Sequence, residues 1–242
     1  MNPEDIQRGI ADSLARVEER IGAACVSVGR CRNEVRLVAV SKTRPLEIVR
    51  AALLCGVGDL GENRLEELGP KREALIEAYP RVSWHMIGHL QSRKARQAAE
   101  CADWVHSVDT LKLARRLDRF AEEAGRVLPV LLEVNISGEA SKAGFAAATR
   151  EERETFVGDV QSLAELEHLA VRGLMTMAPI VAEAEQARPV FASLRRLRET
   201  LIETAPWSEW SELSMGMTDD FAVAIEEGAT MVRIGRAIFD IS

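Results

Sequence analysis

Short strand-like runs alternate with longer helical patterns along the chain, and this alternation restricts the possible folds more than any other feature. Eight runs have strand length, at residues 36–41, 59–61, 82–87, 104–107, 129–135, 171–175, 212–214 and 231–234. Apolar residues at helical spacing lie between them, at residues 46–55, 64–77, 111–123, 153–163, 183–203 and 219–226. Strict alternation indicates a parallel sheet with helical crossovers, and eight repeats favour closure into a (β/α)8 TIM-type barrel.

A doubly wound open sheet is the main alternative to the barrel. That fold usually carries a glycine-rich turn after its first strand, whereas this turn reads Ser41-Lys42-Thr43-Arg44-Pro45. The length of 242 residues also fits one barrel, which needs about 250. No Pro/Gly/Ser-rich linker interrupts the chain, so we expect residues 1–242 to form a single domain.

The first thirty residues predict an extra amphipathic helix packed on the barrel. Its apolar positions recur at helical spacing, with charged residues between them, at Ile6, Ile10, Leu14, Val17 and Ile21. No continuous apolar segment resembles a secretory signal, and the longest apolar stretches are only strand-sized. We therefore expect a cytoplasmic protein that does not span a membrane.

Composition excludes several classes of partner. A formal net charge of −7 argues against nonspecific binding to nucleic acid or to an anionic membrane. The four cysteines show no CxxC spacing, and the four histidines come without clustered carboxylates. We therefore expect reduced thiols and no metal site.

The active site of such a barrel lies at the carboxyl ends of its strands, and Lys42 stands at the first of these ends. It directly follows the apolar run 37–40, whereas Lys71, Lys94 and Lys112 fall in helical, charge-rich stretches that predict solvated side chains. A partly desolvated lysine has a lowered pKa, and its free amine can attack an aldehyde. The alternative is that Lys42 only pairs with a rim carboxylate such as Glu62.

The last two strands predict a phosphate-binding cup, because barrels often bind phosphate with the loops after strands 7 and 8. Ser214 and Gly216 follow the seventh strand, and Gly235 with Arg236 follows the eighth. The alternative is that both glycines only make tight turns. Arg233, inside the last strand, needs a partner, either an internal carboxylate or the phosphate or ring nitrogen of a ligand.

Seven motifs stand in a fixed order and are together very specific. They are Val38-Ala39-Val40-Ser41-Lys42-Thr43, Gly61-Glu62-Asn63, Trp84-His85-Met86-Ile87-Gly88-His89-Leu90-Gln91, Ser141-Lys142-Ala143-Gly144-Phe145, Arg172-Gly173-Leu174-Met175, Leu213-Ser214-Met215-Gly216-Met217 and Val232-Arg233-Ile234-Gly235. From about residue 5 to residue 239 the chain closely resembles the pyridoxal phosphate homeostasis protein family. The fold of that family is similar to the N-terminal barrel of alanine racemase, a fold-type III barrel.

The resemblance implies pyridoxal 5′-phosphate (PLP), held as a covalent aldimine on Lys42. It also implies phosphate contacts from Ser214 and from the amides of Gly235 and Arg236, with Arg233 against the pyridine nitrogen. Asn63 and Met175 would line the pocket. Arg236 departs from the Thr or Ser of many family members, so a hydroxyl contact to the phosphate is lost.

The resemblance further implies a PLP carrier that stores, protects or delivers the cofactor and has no dedicated catalytic residue. The alternative enzyme, a PLP-dependent amino-acid racemase, needs a second acid/base, which alanine racemases take from a C-terminal domain that we expect to be absent. The only tyrosine, Tyr79, precedes the third strand, on the wrong side of the barrel. A ligand-free interaction module is a third possibility.

The carrier hypothesis also predicts the partners. Free amino acids and PLP-dependent apoenzymes would receive PLP from a monomer or weak dimer. We also expect Lys142, in the loop after the fifth strand, to act as a secondary acceptor or to attract the phosphate.

Overall fold

Eight parallel strands close into a barrel in the computed structural model of the protein, which describes residues 2–241. The strands are β1 (Arg36–Val40), β2 (Asp59–Glu62), β3 (Ser83–Met86), β4 (Trp104–Val108), β5 (Leu128–Asn135), β7 (Leu169–Met175), β8 (Glu212–Ser214) and β9 (Met231–Ile234). Their order is β4-β3-β2-β1-β9-β8-β7-β5, and pairing of β4 with β5 closes the ring. The predicted TIM-type barrel is confirmed. Met1 and Ser242, which bound the predicted domain, lie outside the described residues.

Helices connect the strands on the outside of the barrel. They are α1 (Pro3–Ser27), α2 (Leu46–Leu54), α3 (Leu65–Leu75), α4 (Ala95–Cys101), α5 (Leu111–Glu123), α6 (Arg150–Gln161), α7 (Arg188–Thr204), α8 (Phe221–Glu226) and α9 (Arg236–Phe239). Sequence patterns did not predict α4, α9 or the two-residue strand β6 (Phe145–Ala146), which pairs with the end of β5. These elements are short, and α4 buries only alanines, so they lack the apolar periodicity that reveals a longer helix.

The predicted extra helix, α1, covers one side of the barrel. The Asn2 side chain caps it by accepting a hydrogen bond from the Asp5 amide at 2.8 Å, and proline occupies its first turn. Its buried stripe runs through Ile10, Leu14, Val17 and Ile21, and the helix contacts α2, α8 and α9. The stripe explains why this helix packs on the barrel.

The two-residue period of a strand decides which side chains of β1 face the barrel axis. Val38 lies beside Gly61 of β2, inside the barrel, whereas Ala39 packs in the core between strands and helices. Ser41, two residues after Ala39, also faces the helices and bonds to side chains there. By the same alternation Val40 faces the interior, and Lys42 follows two residues later at the carboxyl-end mouth, where it is exposed.

Gly216 should be required for stability, because its φ of +92° is unfavourable for residues with a side chain. A Cβ atom there would stand 2.6 Å from Ala224 Cβ and 2.9 Å from Phe221 Cα of α8. We expect Gly216→Ala to lower the free energy of unfolding by about 2–4 kcal/mol, measured by urea denaturation. In the control Gly158→Ala, an exposed position of α6 with open space around it, stability should rise by about 0.5–1 kcal/mol. Equal effects of the two substitutions would refute this account of Gly216.

Candidate functional site

Five adjacent strands carry all eight residues that the sequence analysis predicted for the site. In ring order they are β2, β1, β9, β8 and β7, which make up one side of the barrel. Exposed or half-buried residues stand at the carboxyl-end rim, and buried ones stand inside. The first group is Lys42, Asn63, Gly235 and Arg236, and the second is Met175, Ser214, Gly216 and Arg233.

Lys42 is exposed at the end of β1, not partly desolvated as the sequence analysis predicted. Within residues 2–241 no carboxylate lies within salt-bridge distance of its amine, so the predicted alternative, pairing with Glu62, is wrong. Glu62 faces the helices from the end of β2 and bonds to another lysine. Lys42 therefore stands at the mouth with its amine free of any described acidic partner.

Lys71 is the lysine that pairs with Glu62, and the prediction of a solvated side chain for Lys71 is wrong. It is 8% exposed, and its Nζ lies 2.6 Å from Glu62 Oε1 and 2.8 Å from the Ser41 carbonyl oxygen. A sequence signal for this burial exists, since Lys71 follows Leu68 by three residues and precedes Leu75 by four on α3. The high charge of the surrounding stretch obscured that signal.

A chain of hydrogen-bonded side chains crosses the barrel interior from base to mouth. Asp59 Oδ1 lies 2.9 Å from His85 Nε2, and His85 Nδ1 lies 2.9 Å from His106 Nε2. His106 Nδ1 then lies 3.0 Å from Ser214 Oγ, which accepts a hydrogen bond from Arg233 Nη1 at 2.6 Å. Both histidines and the serine are completely buried. No sequence spacing predicted this chain, because its members come from four different strands.

When both imidazoles are neutral, the protons available on these side chains determine which group donates in each hydrogen bond. Ionised Asp59 can only accept, so His85 carries its proton on Nε2, and His106 likewise donates from Nε2 to His85. Ser214 must then donate its hydroxyl proton to His106. Burial, and secondarily His85, holds the pKa of His106 well below its usual range, which keeps this ring neutral. With both rings neutral, every donor points from the mouth toward the base.

Arg233 is bonded in a way that neither sequence-based alternative anticipated. Its Nη2 donates to the Thr176 carbonyl oxygen at 2.9 Å, in addition to the bond to Ser214, and no described carboxylate forms a salt bridge with it. Burial lowers its pKa to about 10, against the opposing influence of Glu133 and Asp220. The guanidinium is therefore still a cation at neutral pH, held rigidly by neutral oxygen acceptors.

The two loops of the predicted phosphate cup lie side by side. The Arg233 amide donates to the Gly216 carbonyl oxygen at 3.0 Å, which joins the loop after β8 to β9. The Ser214 hydroxyl is already engaged inside the barrel, and the Arg236 guanidinium pairs with Asp219. Gly216 has a positive φ and lies close to α8, so a glycine is needed at this position whether or not a ligand binds.

Gly235 and Met175 occupy positions that fit a pocket edge and a pocket floor. A Cβ on Gly235 would stand 3.1 Å from the Val40 carbonyl oxygen, so this residue brings β9 close to β1 just below Lys42. Met175 is fully buried in the barrel interior, where it packs with Leu131 and Met231. Asn63, at the end of β2, remains half-buried at the rim.

Glu133 is a candidate residue that the sequence analysis missed. It lies on β5, four strands from β1 in either direction around the ring, and so on the opposite side of the barrel from Lys42. Its side chain is 3% exposed. Burial, and secondarily the charge of Asp109, raise its pKa to about 7 against the opposing influence of Arg233 and His89. An acidic residue alternating with apolar neighbours within a predicted barrel strand is the signal that could have revealed it.

Lys142 is tied into the loop after β5. Its amine lies 2.5 Å from Glu139 Oε1, and it also donates to Ser137 Oγ and to the Met177 carbonyl oxygen, each at 3.2 Å. These bonds join the loops after β5 and β7. A role as secondary acceptor, which stays a prediction, would require Lys142 to break them.

Residues 2–241 contain neither a metal-binding cluster nor a helix that could span a membrane. No cluster of three or more His, Cys, Asp or Glu side chains in this part of the chain is arranged to hold a metal ion. Among the described helices, none combines the length and the apolar character needed to span a bilayer.

Comparison with known proteins gives consistent matches at the level of sequence and fold. Residues 24–242 match the family described as alanine racemase, N-terminal domain. The pyridoxal phosphate homeostasis protein of Pseudomonas aeruginosa is 43% identical over 230 residues, which cover 95% of this chain and 94% of that protein.

Two solved structures extend the comparison. PipY of Synechococcus elongatus, solved with PLP bound, has a TM-score of 0.82 and 36% identity, covering 95% of this chain and 99% of that one. The alanine racemase of Corynebacterium glutamicum has a TM-score of 0.74 at 16% identity, and this chain covers 62% of it. The second match shows a shared barrel fold alone.

The near-neutral pKa of Glu133 should make the stability of the protein depend on pH. Its unfolded pKa is about 4.5 and its folded pKa is about 7, so the folded state holds the extra proton between these values. The free energy of unfolding should therefore fall as pH rises from about 4.5 to 7, by up to about 3 kcal/mol from this group. Glu133→Gln cannot ionise and should lack that fall when urea denaturation is measured across this range.

The matched control is Glu203→Gln, at an exposed position of α7. Its stability should track that of the wild type at every pH. Parallel curves for wild type and Glu133→Gln would contradict the assignment of a raised pKa to Glu133.

Proposed function

Because this chain belongs to the pyridoxal phosphate homeostasis protein family, we propose that it binds PLP and maintains the supply of this cofactor by storing, protecting or delivering it. The single observation that carries the proposal is the free amine of Lys42 at the mouth of the barrel. A primary amine reacts reversibly with an aldehyde, forming a carbon–nitrogen bond as the aldehyde oxygen leaves as water. Such a bond can hold PLP and release it again.

The residues around Lys42 fit a phosphorylated pyridine aldehyde. The amides of Gly235 and Arg236, beside Gly216 on the neighbouring loop, would bind the phosphate, with Ser214 behind them. Arg233 is a buried cation fixed by two oxygen acceptors, suited to donate toward a ring nitrogen or a phosphate. Asn63 and Met175 would form the edge and the floor.

The position of the tyrosine favours a carrier over a racemase, because racemisation needs a second acid/base on the other face of the cofactor. An arginine beside the ring nitrogen of PLP would keep that nitrogen unprotonated and so weaken the cofactor as an electron sink. Tyr79, the only tyrosine, precedes β3 and so lies at the end of the barrel opposite Lys42. We therefore propose that the protein binds PLP without a dedicated reaction, as a monomer or weak dimer, with PLP-dependent apoenzymes as recipients.

One observation favours a second candidate, a racemase-like enzyme. Glu133 is a buried carboxyl with a near-neutral pKa, and its strand lies on the opposite side of the barrel from that of Lys42. A group in that position could exchange a proton with an amino acid bound between the two residues.

A cytoplasmic location completes the proposal. All four cysteines are free thiols in the structure, as is typical of proteins in reducing compartments.

Borohydride reduction of the protein mixed with PLP tests the covalent site. We expect a single phosphopyridoxyl group on the peptide containing Lys42, found by peptide mass mapping, because this amine is exposed and lacks a described acidic partner. Lys42→Ala should show no such adduct, whereas Lys112→Ala should be labelled like the wild type. Scattered labelling, or none, would overturn the proposal that Lys42 binds PLP.

Free amines should draw PLP off the protein if delivery works by amine exchange. We expect excess L-alanine to displace the absorption of bound PLP, because an exposed site admits a second amine. An unchanged absorption spectrum would exclude delivery by this route. In D2O the recovered alanine also distinguishes the two candidates, since deuterium at its α carbon would favour the racemase-like enzyme and its absence the carrier.

A further inference from the structure

The peptide on both sides of Lys42 is held by side chains from β2 and α3. The Ser41 hydroxyl donates to Glu62 Oε1 at 2.6 Å, and the Thr43 amide donates to Glu67 Oε2 at 2.6 Å. Lys42 lies between these two anchored residues. Its own side chain is exposed at the carboxyl end of β1.

Thr43 needs this anchoring because of its backbone conformation. Its φ is +62°, a region that β-branched residues rarely occupy and that costs on the order of 1–3 kcal/mol. The hydrogen bond to Glu67 offsets part of that cost. Without it, we expect residues 42–44 to relax toward ordinary backbone angles and to move the Lys42 side chain.

Lys71 connects the two anchors. Its ammonium group lies 2.6 Å from Glu62 Oε1, 3.1 Å from Glu67 Oε2 and 2.8 Å from the Ser41 carbonyl oxygen. Three acceptors use all three ammonium protons. Glu62 is fully buried and Lys71 nearly so, so removing the lysine would leave a buried carboxylate without its counter-ion.

We propose that Lys71, Glu62 and Glu67 form a clamp that positions Lys42 over the barrel mouth for reaction with the aldehyde. The inference rests on the proposed function, because it assumes that Lys42 is the amine that binds PLP. Lys71 bonds to the Ser41 carbonyl oxygen and to the two carboxylates, and it acts on Lys42 through the backbone, so it is a positioning residue. The clamp also explains why a lysine is buried on a charged helix.

The test compares the rate of phosphopyridoxyl formation at Lys42 in Lys71→Met and Glu67→Ala with the wild-type rate, well below the melting temperature of each variant. Loss of positioning should slow the reaction by about tenfold to a hundredfold. Glu67→Gln retains an acceptor oxygen for the Thr43 amide and should recover most of the rate. The matched control is Lys94→Met, which removes an ion pair between Lys94 and Glu66 of α3 without touching residues 41–43.

Hydrogen exchange gives a readout that does not involve PLP. The Thr43 amide should exchange at least tenfold faster in Glu67→Ala and Lys71→Met than in Lys94→Met. Glu67 is partly exposed, so Glu67→Ala keeps the test available if Lys71→Met fails to fold.

The outcomes separate the clamp from the proposed function. Rates and exchange equal to those of Lys94→Met would overturn the clamp, even with Lys42 labelled normally. If wild-type Lys42 is not labelled at all, the proposed function fails, and the exchange measurement alone decides whether residues 41–43 are clamped. Faster exchange with an unchanged labelling rate would also overturn the positioning role.

Discussion

Burying charged groups inside a barrel of apolar strands costs free energy unless every charge has hydrogen-bond partners, and the site depends on how this requirement is met. The interior side of the strands holds Arg233, whose protons go to a hydroxyl and a carbonyl oxygen. The outer side holds Glu62 and Lys71, which bond to each other. Because Glu62 pairs with Lys71 on the outer side, the amine of Lys42 is left at the mouth without a described counter-ion.

Local periodicity along the chain explains which parts of the structure could be predicted from sequence. Strand and helix positions depend on local periodicity, so the eight strands and the position of Lys42 at the end of β1 were predicted from the printed residues. Lys71 was assigned to solvent because its helix is rich in charges, although its spacing from Leu68 and Leu75 indicates a buried face. Its partner Glu62 lies on another element, and pairing across elements leaves no local pattern.

The interior hydrogen bonds could not have been predicted at all. Asp59, His85, His106 and Ser214 are spread over more than 150 positions of the chain and meet only because the barrel closes. The raised pKa of Glu133 could not be predicted from sequence either, because it depends on burial and on the charges of Asp109, Arg233 and His89, which come close only in the folded barrel. Sequence motifs identify the rim of the barrel, whereas the protonation of its interior depends on three-dimensional neighbours.

The uniform direction of the interior chain makes the two ends of the barrel electrically dependent on each other. Each hydrogen bond polarises the next, so negative charge on Asp59 at the base strengthens the hydrogen bond that Ser214 makes to His106. The serine oxygen becomes a better acceptor for Arg233 as a result. With both imidazoles neutral, a carboxylate at the base of the barrel is thus connected through four side-chain hydrogen bonds to the cation beneath the mouth.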